Sequence, residues 1–255
     1  MDRLSLPEDC LMHRFYAEPD QIRDGLVELS RDDTRHALTV LRLKPGQHVE
    51  MIMNGLRSDA EIVSAGTDGV SVRILSDLPS TEPSLSVTLY QGLPKADRMD
   101  LIVQKSTELG VARIIPVLME RCVVRPDPKD TERKTERWRK IAREAGKQSG
   151  RCVIPEIASP VPISRLTALP SLPEVNIVPW EESSGYGPLA FQKDHPVLSS
   201  LGILIGPEGG IDKKEIALLQ SASFIPITLG KRILRTETAG PAVLSSIMSL
   251  YGEME

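Results

Sequence analysis

Two glycine-containing segments near the C-terminus have the residue types that a small-molecule site requires. The first, Gly206-Pro207-Glu208-Gly209-Gly210, directly follows an apolar run that predicts a strand. Adjacent glycines permit positive φ angles and let a ligand approach the backbone closely. The segment has neither the GxGxxG spacing of a dinucleotide-binding loop nor the Gly-Lys-Ser/Thr ending of a P-loop. A tight strand-to-helix turn without a ligand has the same pattern, so this loop alone leaves both interpretations open.

The second segment, Leu229–Ala239, is apolar where a loop is usually polar. Gly230 ends a predicted strand, and Ile233 and Leu234 follow three residues later. Apolar side chains gain free energy when they leave water, so these two need a burial partner. That partner is either the rest of the fold or the flat face of a ligand.

Polar residues at the end of this segment precede the last predicted helix. Arg235, Thr236 and Glu237 bring together hydrogen-bond donors and acceptors. A helix with Thr236 as N-cap and an acid in its first turn is an alternative explanation that needs no function. A third loop, Pro179-Trp180-Glu181-Glu182, holds two adjacent carboxylates, which on a loop more often both point to water.

The elements that precede these loops fall into two regions. Residues 1–77 predict a small β-barrel, and residues 78–84 have the composition of a linker. Asn54-Gly55 and Asp68-Gly69 are strong hairpin-turn signals, and Asp32 or Asp33 is a candidate N-cap. The predicted elements of the first region are strands Val49–Met53, Ala60–Val63 and Val70–Leu75, and a helix Asp33–Leu41.

In residues 85–255, strands alternate with helices, which indicates an α/β domain with a mainly parallel sheet. In such sheets ligands bind beyond the carboxyl ends of the strands, where the glycine segments stand. Ser183–Ser200 is predicted to be a mobile loop. The predicted strands are Leu85–Leu93, Ile114–Leu118, Asn176–Pro179, Gly202–Ile205 and Ile225–Leu229, and the helices are Lys95–Leu109, Thr131–Gln148, Asp212–Ser221 and Thr236–Tyr251.

Composition gives weaker guidance. The 255 residues carry a formal net charge of -4, yet between Arg121 and Arg151 eleven Lys/Arg face five Asp/Glu, a local excess of +6. A nucleic-acid backbone responds to such a local patch, although a solvated helix face of mixed charge explains it equally well. Three scattered cysteines form no metal spacing, and no apolar run is long enough to span a membrane. We therefore expect a cytoplasmic protein without a metal.

Taken in order, the segments resemble one known family. The two glycine segments are similar to the signature loops of the bacterial ribosomal RNA small subunit methyltransferase E family, of the SPOUT class of trefoil-knotted methyltransferases. The resemblance covers nearly the whole chain. Further matches are His13-Arg14-Phe15-Tyr16, Leu41-Arg42-Leu43-Lys44-Pro45-Gly46, Lys95–Gly110, Glu120-Arg121-Cys122-Val123-Val124-Arg125 and Gln148-Ser149-Gly150-Arg151.

The resemblance implies a fold and an activity. It implies a PUA-like barrel over residues 1–77, a knotted domain over 85–255, and a homodimer. It implies S-adenosylmethionine as cofactor and N3 of uridine 1498, in the decoding region of 16S ribosomal RNA of the small ribosomal subunit, as target. The family places backbone groups against the adenine, with Ile233 and Leu234 on its face. The implied cofactor-binding residues are Glu181, Ile205, Gly206, Pro207, Gly209, Gly210, Leu229, Gly230, Ile233, Leu234 and Thr236.

For catalysis, we hypothesise that Arg235 steadies charge on the uracil carbonyls. Glu208 or Glu237 would accept the N3 proton, directly or through water. In the alternative, these three residues only brace the fold. Lys147 stands where the family pattern has an acidic residue, so no catalytic role is carried over to it. The candidate RNA contacts, mostly to phosphates, are Arg14, Arg42, Lys44, Arg121, Arg125, Arg143 and Arg151.

Two other functions remain open at this point. One is a SPOUT methyltransferase that acts on transfer RNA or on another ribosomal position. The other is a non-catalytic ribosome-assembly factor that binds RNA through its barrel. The glycines of Gly206–Gly210 and the presence of Arg235 favour catalysis over the second alternative.

Overall fold

The computed structural model describes residues 13–66, 68–125, 127–166 and 172–255. The chain divides into two compact units, residues 1–81 and 82–255. This division falls inside the 78–84 stretch that we interpret as a linker. Among the described residues, no helix is both long and apolar enough to cross a membrane.

The N-terminal unit is built on a six-stranded, mostly antiparallel sheet in the order β1-β4-β5-β6-β3-β2. Only β1 and β4 pair in parallel. Asn54 and Gly55 both have positive φ and close the β4–β5 hairpin, which confirms that predicted turn. The elements are β1 Arg14–Ala17, β2 Ile22–Arg23, β3 Leu26–Glu28, α1 Arg31–Arg35, β4 His48–Met53, β5 Leu56–Gly66 and β6 Gly69–Leu78.

One helix in this unit differs from its prediction. Ser30, rather than Asp32 or Asp33, caps α1, because its hydroxyl accepts the Asp33 N–H. The helix continues as a π-helical stretch over His36–Leu41 and ends where Arg42 takes a left-handed conformation. The strands bury alternate residues such as Phe15 and Val72 on one face, as expected for an antiparallel sheet with one solvated side. The described residues form this sheet, and the predicted barrel closure is not shown.

The C-terminal unit has an entirely parallel sheet in the order β10-β8-β7-β12-β11-β13, with β9 paired to β8. The predicted mainly parallel α/β domain is thereby confirmed. Its strands are β7 Ser86–Gly92, β8 Arg113–Leu118, β9 Glu156–Ile157, β10 Val161–Pro162, β11 Val175–Pro179, β12 Ser200–Ile205 and β13 Phe224–Ile227. Its helices are α2 Arg98–Glu108, α3 Pro128–Ser149, α4 Ile163–Leu166, α5 Pro188–Asp194, α6 Lys213–Ser221 and α7 Thr236–Leu250.

The central strands are buried along nearly their whole length. In β12 the five residues after Ser200 are buried, and β7 buries Tyr90 and Gln91 side by side. Continuous burial of this kind is typical of a parallel sheet covered on both faces by helices. Because parallel strands all end at the same edge, the loops after β11, β12 and β13 lie next to one another.

The stretch between β11 and β12 corrects one prediction. We expect a mobile loop over Ser183–Ser200, but residues 188–194 form α5, which begins at Pro188 and buries Phe191 completely. Proline at the first helical position is pre-organised for a helix, although the composition of the whole segment is typical of a loop. The Tyr251 hydroxyl also donates to the His195 carbonyl at 2.5 Å.

Contacts made by two half-buried carboxylates fasten the start of this unit to distant segments. Glu82 accepts the backbone N–H groups of Cys152 at 2.7 Å and Val153 at 3.1 Å, and it pairs with the Arg151 guanidinium at 2.5 Å. Glu253 accepts the N–H groups of Ser84 and Leu85. Residues within the expected linker are therefore anchored.

Arg151 is enclosed by these contacts, and only 5% of its surface is exposed. Its guanidinium also donates to the carbonyls of Val111 at 2.5 Å and Thr107 at 3.2 Å. A side chain engaged in this way is not available to a phosphate. In this position Arg151 stabilises the fold, unlike the exposed cations among the candidate RNA contacts.

Removing this cation is expected to destabilise the protein. Arg151→Met leaves the Glu82 carboxylate without its charged partner, and breaking a buried pair in this way costs about 3 kcal/mol. The melting temperature should fall by about 6–12 °C. Arg143→Met is the matched control, because Arg143 is exposed on α3, and such surface changes usually stay within about 0.5 kcal/mol. Equal melting temperatures for the two variants, measured by calorimetry, would contradict this role.

Candidate active site

An open cavity of about 560 Å³ lies at the carboxyl ends of β11, β12 and β13. This volume falls within the range of small-molecule sites, about 300–1,000 Å³. The structure brings all eleven predicted cofactor-binding residues to its lining, together with Glu208 and Arg235. The residues that line it are Arg98, Pro179, Trp180, Glu181, Ile205, Gly206, Pro207, Glu208, Gly209, Gly210, Ile211, Thr228, Leu229, Gly230, Lys231, Arg232, Ile233, Leu234, Arg235, Thr236 and Ala239.

The first wall of the cavity, residues 206–211, is held by side chains on either side. Arg121 donates to the Gly209 carbonyl at 3.1 Å and pairs with Asp212 at 3.3 Å. Asp212 caps α6 and forms a capping box with Glu215. The buried Glu215 carboxylate also accepts the Glu120 N–H at 2.8 Å. This wall is therefore fixed to the loop that follows β8.

Close approach explains the glycines of this wall. A Cβ at Gly206 would lie 2.6 Å from the Ile211 side chain, and one at Gly209 would lie 3.0 Å from Arg121. Gly210 has a φ of +74°, and a Cβ there would meet the Glu181 carboxylate at 2.7 Å. The loop can pack this tightly and still present its backbone to the cavity because these three residues lack side chains.

The second wall, residues 228–235, has few internal contacts. The Gly230 N–H donates to the Thr228 hydroxyl at 3.2 Å, while residues 231–234 make no hydrogen bond to any part of the described chain. Ile233 is 87% exposed, so the fold does not bury it. Of the two burial partners that the sequence allows for Ile233, only a ligand or another molecule remains.

The start of α7 agrees with the predicted helix start at Thr236, but it does not match the alternative in which Thr236 is the N-cap. Arg235, in an extended conformation, is the N-cap, and Thr236 is the first helical residue. The buried Thr236 hydroxyl instead donates to the Gly206 carbonyl at 2.7 Å and accepts the Gln91 amide at 2.9 Å. Thr236 thus joins the two walls of the cavity, which a capping role would not achieve.

Arg98, at the start of α2, connects the two acidic candidates. Its guanidinium lies 2.5 Å from Glu208 and 3.6 Å from Glu237. Glu208 also accepts the Lys95 N–H at 2.9 Å. Partial burial by itself raises the pKa of the Glu208 carboxyl, but the backbone N–H groups and the Arg98 guanidinium outweigh it and hold the pKa below the ordinary value.

Glu237 is placed differently from Glu208. Its Oε2 atom is buried and has no hydrogen-bond partner within the described part of the chain. The side chain stands beside the cavity through its pair with Arg98, rather than in the lining itself. Arg235 lies in the lining, is exposed, and forms no ion pair with any described residue. Glu237 and Arg235 therefore have unused hydrogen-bonding capacity at the cavity.

The remaining candidate RNA contacts lie in both units. In the N-terminal unit, Arg42 and Lys44 are exposed, whereas Arg14 pairs with the buried Glu50 at 2.5 Å. Burial alone raises the pKa of Glu50, but Arg57 and Arg14 hold that pKa below its ordinary value. In the C-terminal unit the exposed candidates are Arg121, Arg125 and Arg143.

Several lining residues are absent from the predicted site, and Arg98 and Trp180 are the most informative of them. Arg98 follows the carboxyl end of the central strand β7, which is the position where the rule for parallel sheets directs attention. This position in the sequence could therefore have indicated Arg98 as a residue of the site. Trp180 stands in the loop that we interpreted as solvent-facing because of Glu181 and Glu182, and it lines the cavity as well. Across the described ranges, no group of three or more His, Cys, Asp and Glu could hold a metal ion.

Comparison with known proteins identifies the family. The model of an RNA methyltransferase domain matches residues 81–248. The ribosomal RNA small subunit methyltransferase E of Bacillus subtilis is 34% identical over 245 residues, which cover 92% of this chain and 96% of that protein. Its counterpart from Aquifex aeolicus is 31% identical over 239 residues, or 93% of this chain and 100% of that protein.

Solved structures give the same result. The ribosomal RNA small subunit methyltransferase E of Neisseria gonorrhoeae, bound to S-adenosyl methionine, matches with a TM-score of 0.78 and 32% identity, over 94% of this chain and 98% of that one. A methyltransferase from Legionella pneumophila in complex with the bound cofactor SAM matches with the same score, identity and coverage. The chain belongs to the ribosomal RNA small subunit methyltransferase E family.

Proposed function

We propose that this protein transfers a methyl group from S-adenosylmethionine to N3 of uridine 1498 in 16S ribosomal RNA. The observation that carries the proposal is the cavity at the ends of β11, β12 and β13, which both glycine segments line. The names of the relatives support a small-subunit ribosomal RNA as substrate. The cofactor bound in the neighbour from Neisseria gonorrhoeae supports S-adenosylmethionine.

The cavity suits an adenine-containing cofactor. Residues 231–234 have backbone groups without partners inside the described chain, so they can hydrogen-bond to a base edge. Leu229, Ile233 and Leu234 supply apolar surface for the face of the base. Gly206, Gly209 and Gly210 would bring the opposite wall within contact distance. The sulfonium of the bound cofactor supplies an activated methyl group.

The chain's own residues must then align the uracil and remove its N3 proton. We assign proton acceptance to Glu237, because its buried Oε2 has a free lone pair, whereas the Glu208 carboxylate is engaged by Arg98 and the Lys95 N–H. A lowered pKa also makes the Glu208 carboxylate a weaker base than an ordinary glutamate. Glu208 then holds Arg98 in place, and Arg235 offers its unpaired guanidinium to the charge that develops on the uracil carbonyls.

Exposed cations of both units would bind the RNA. Arg42 and Lys44 in the N-terminal unit, and Arg125 and Arg143 in the C-terminal unit, are suited to phosphates. Arg14 and Arg121 could contribute the part of their guanidinium that faces solvent. By family likeness the N-terminal unit would be a PUA-like RNA-binding domain, and its curled antiparallel sheet is compatible with that assignment.

Three further properties belong to the same proposal. A trefoil knot over 85–255 agrees with the path of the chain after β13, which returns to the end of β12 where Thr236 meets Gly206. A homodimer agrees with strongly exposed apolar side chains such as Leu189 and Val197. A cytoplasmic location agrees with a ribosomal substrate.

Methyl transfer to the ribosome tests the function directly. Small subunits from cells that lack this protein should accept labelled methyl from S-adenosylmethionine, and digestion of the RNA should yield N3-methyluridine at one position. Subunits from cells that contain the protein are the control and should accept almost none, because the site is already methylated. No incorporation, or a different methylated base, would contradict the proposal and favour one of the two alternatives.

Cofactor binding should depend on Gly210 beyond its conformational cost. Gly210→Ala forces a Cβ at positive φ and against Glu181, and we expect the dissociation constant for S-adenosylmethionine to rise about tenfold, equivalent to about 1.4 kcal/mol. Gly252→Ala is the matched control, since Gly252 has a nearly identical φ of +77° and open space around it. Calorimetric titration should show wild-type affinity for that control. Equal affinities for both variants would contradict the assignment of Gly210 to the cofactor site.

Replacing Glu237 and replacing Glu208 should lower kcat to different extents. Glu237→Gln removes the proton acceptor, so kcat should fall by about 10²- to 10⁴-fold while cofactor affinity stays near wild type. Glu208→Gln should lower kcat by about tenfold or less, through looser placement of Arg98. Near-wild-type kcat for folded Glu237→Gln would exclude Glu237 as the base. A larger loss in Glu208→Gln than in Glu237→Gln would transfer that role to Glu208.

A further inference from the structure

A buried chain of hydrogen bonds connects three segments of the C-terminal unit behind the cavity. The Gln91 side-chain amide, at the end of β7, donates to the Thr236 hydroxyl at 2.9 Å and to the Gly92 carbonyl at 3.0 Å. The Thr236 hydroxyl donates to the Gly206 carbonyl at 2.7 Å. The ends of β7 and β12 and the start of α7 are thereby joined through one glutamine and one threonine.

The direction of these bonds follows from the chemistry of the groups. A backbone carbonyl only accepts, so the nitrogen of the Gln91 amide must face Gly92. That nitrogen only donates, so the Thr236 oxygen accepts from it. The single hydroxyl proton of Thr236 is then directed to the Gly206 carbonyl. The chain of bonds has one polarity, and it ends on Gly206.

The peptide bond at the end of this chain offers a single hydrogen-bonding group. Pro207 has no N–H, so the Gly206 carbonyl is the only hydrogen-bonding group of the peptide between them. Gly206 itself lacks a side chain that could restrict rotation. The Thr236 hydroxyl is therefore the group that sets the orientation of this peptide, which forms part of the cavity wall.

Tight packing places Gln91 where it can act. A Cβ at Gly92 would lie 2.6 Å from the Pro207 nitrogen, so β7 and the first wall touch at this point. Gln91 is fully buried, and its Oε1 atom has no partner in the described structure. Burying a polar oxygen without a hydrogen bond costs about 1–3 kcal/mol. An apolar residue would avoid that cost, so stability alone does not account for a glutamine here.

We propose that Gln91 is a positioning residue of the methyl-donor site, which acts through Thr236 on the Gly206–Pro207 peptide. Its side chain lies behind the cavity and is not part of the lining. By fixing the proton of Thr236 toward Gly206, it keeps the first wall, residues 206–211, and the second wall, residues 228–235, in one relative arrangement. The inference rests on the proposed function, because it assigns this cavity to S-adenosylmethionine.

Calorimetric titration of S-adenosylmethionine into purified full-length variants tests the proposal. Thr236→Val keeps the shape but removes the hydroxyl, and the dissociation constant should rise about tenfold. Thr236→Ser retains the hydroxyl and should recover most of the affinity that Thr236→Val loses. Gln91→Met should weaken binding about threefold on its own and have no further effect in the Thr236→Val background, because it acts through that hydroxyl.

Thr107→Val is the matched control for a lost buried hydroxyl. The Thr107 side chain is completely buried and donates only to the Val103 carbonyl of its own helix, α2. Its melting temperature should fall as in Thr236→Val, but its cofactor affinity should not change. The proposed role of Gln91 is overturned if Thr236→Val binds S-adenosylmethionine like wild type. It is also overturned if Gln91→Met keeps its full effect in the Thr236→Val background.

Hydrogen exchange of the protein without ligand provides a readout that does not depend on the proposed function. The amides of residues 208–210 should exchange faster in Thr236→Val and in Gln91→Met than in wild type, while those of α2 stay unchanged. Unchanged exchange at residues 208–210 would overturn the positioning role. Wild-type protein that fails to bind S-adenosylmethionine, yet shows the exchange effect in both variants, would contradict the proposed function alone.

Discussion

In the C-terminal unit, β12 pairs in parallel with β7 on one side and with β11 on the other, and β11 in turn pairs with β13. Parallel pairing needs a crossover after each strand, and it brings the carboxyl ends of all four strands to one edge. Loops that are far apart in the sequence therefore meet there, such as those of Arg98 and Glu208, which are 110 residues apart. The cavity, its two walls and the acidic pair around Arg98 all depend on this arrangement of strands.

The pairing also sets demands inside the sheet. Gly202 on β12 lies opposite Asn176 on β11, and a Cβ at Gly202 would stand 2.0 Å from the Asn176 side-chain oxygen. The buried Asn176 amide donates to the Pro173 carbonyl at 3.1 Å. A glycine within a strand usually marks such a close approach. Gln91 and Asn176 are polar residues at the centre of an apolar sheet, and each leaves one oxygen without a partner in the described chain.

Much of this architecture could be predicted from the sequence, because strands such as Gly202–Ile205 are short apolar runs between turn signals. The order of the strands could not, since β12 lies between β7 and β11 although about a hundred residues separate β7 from β12. The role of Arg151 could not be predicted either. A basic residue within a basic segment is expected to be exposed, and its partner Glu82 is 69 residues away in the sequence. α5 was missed because its proline and the glycines before it indicate a loop, whereas the burial of Phe191 decides for a helix.

The candidate site was predictable to the extent that it is made of loops after strands. Its hydrogen bonds were not, because Thr236 at a helix start has the same signature whether it caps the helix or reaches another segment. The two walls differ in how they are held. Residues 206–211 are fixed by Arg121, by the capping box of Asp212 and by Thr236, whereas residues 231–234 make no hydrogen bond within the described chain. A rigid wall can orient a ligand at little entropic cost, while a wall with free backbone groups and an exposed Ile233 gains contacts when the ligand arrives. The hydrogen-bonded chain from Gln91 through Thr236 to Gly206 ends on the rigid first wall. Its effect should therefore fall on the position of the bound S-adenosylmethionine rather than on the contacts that the second wall makes with it.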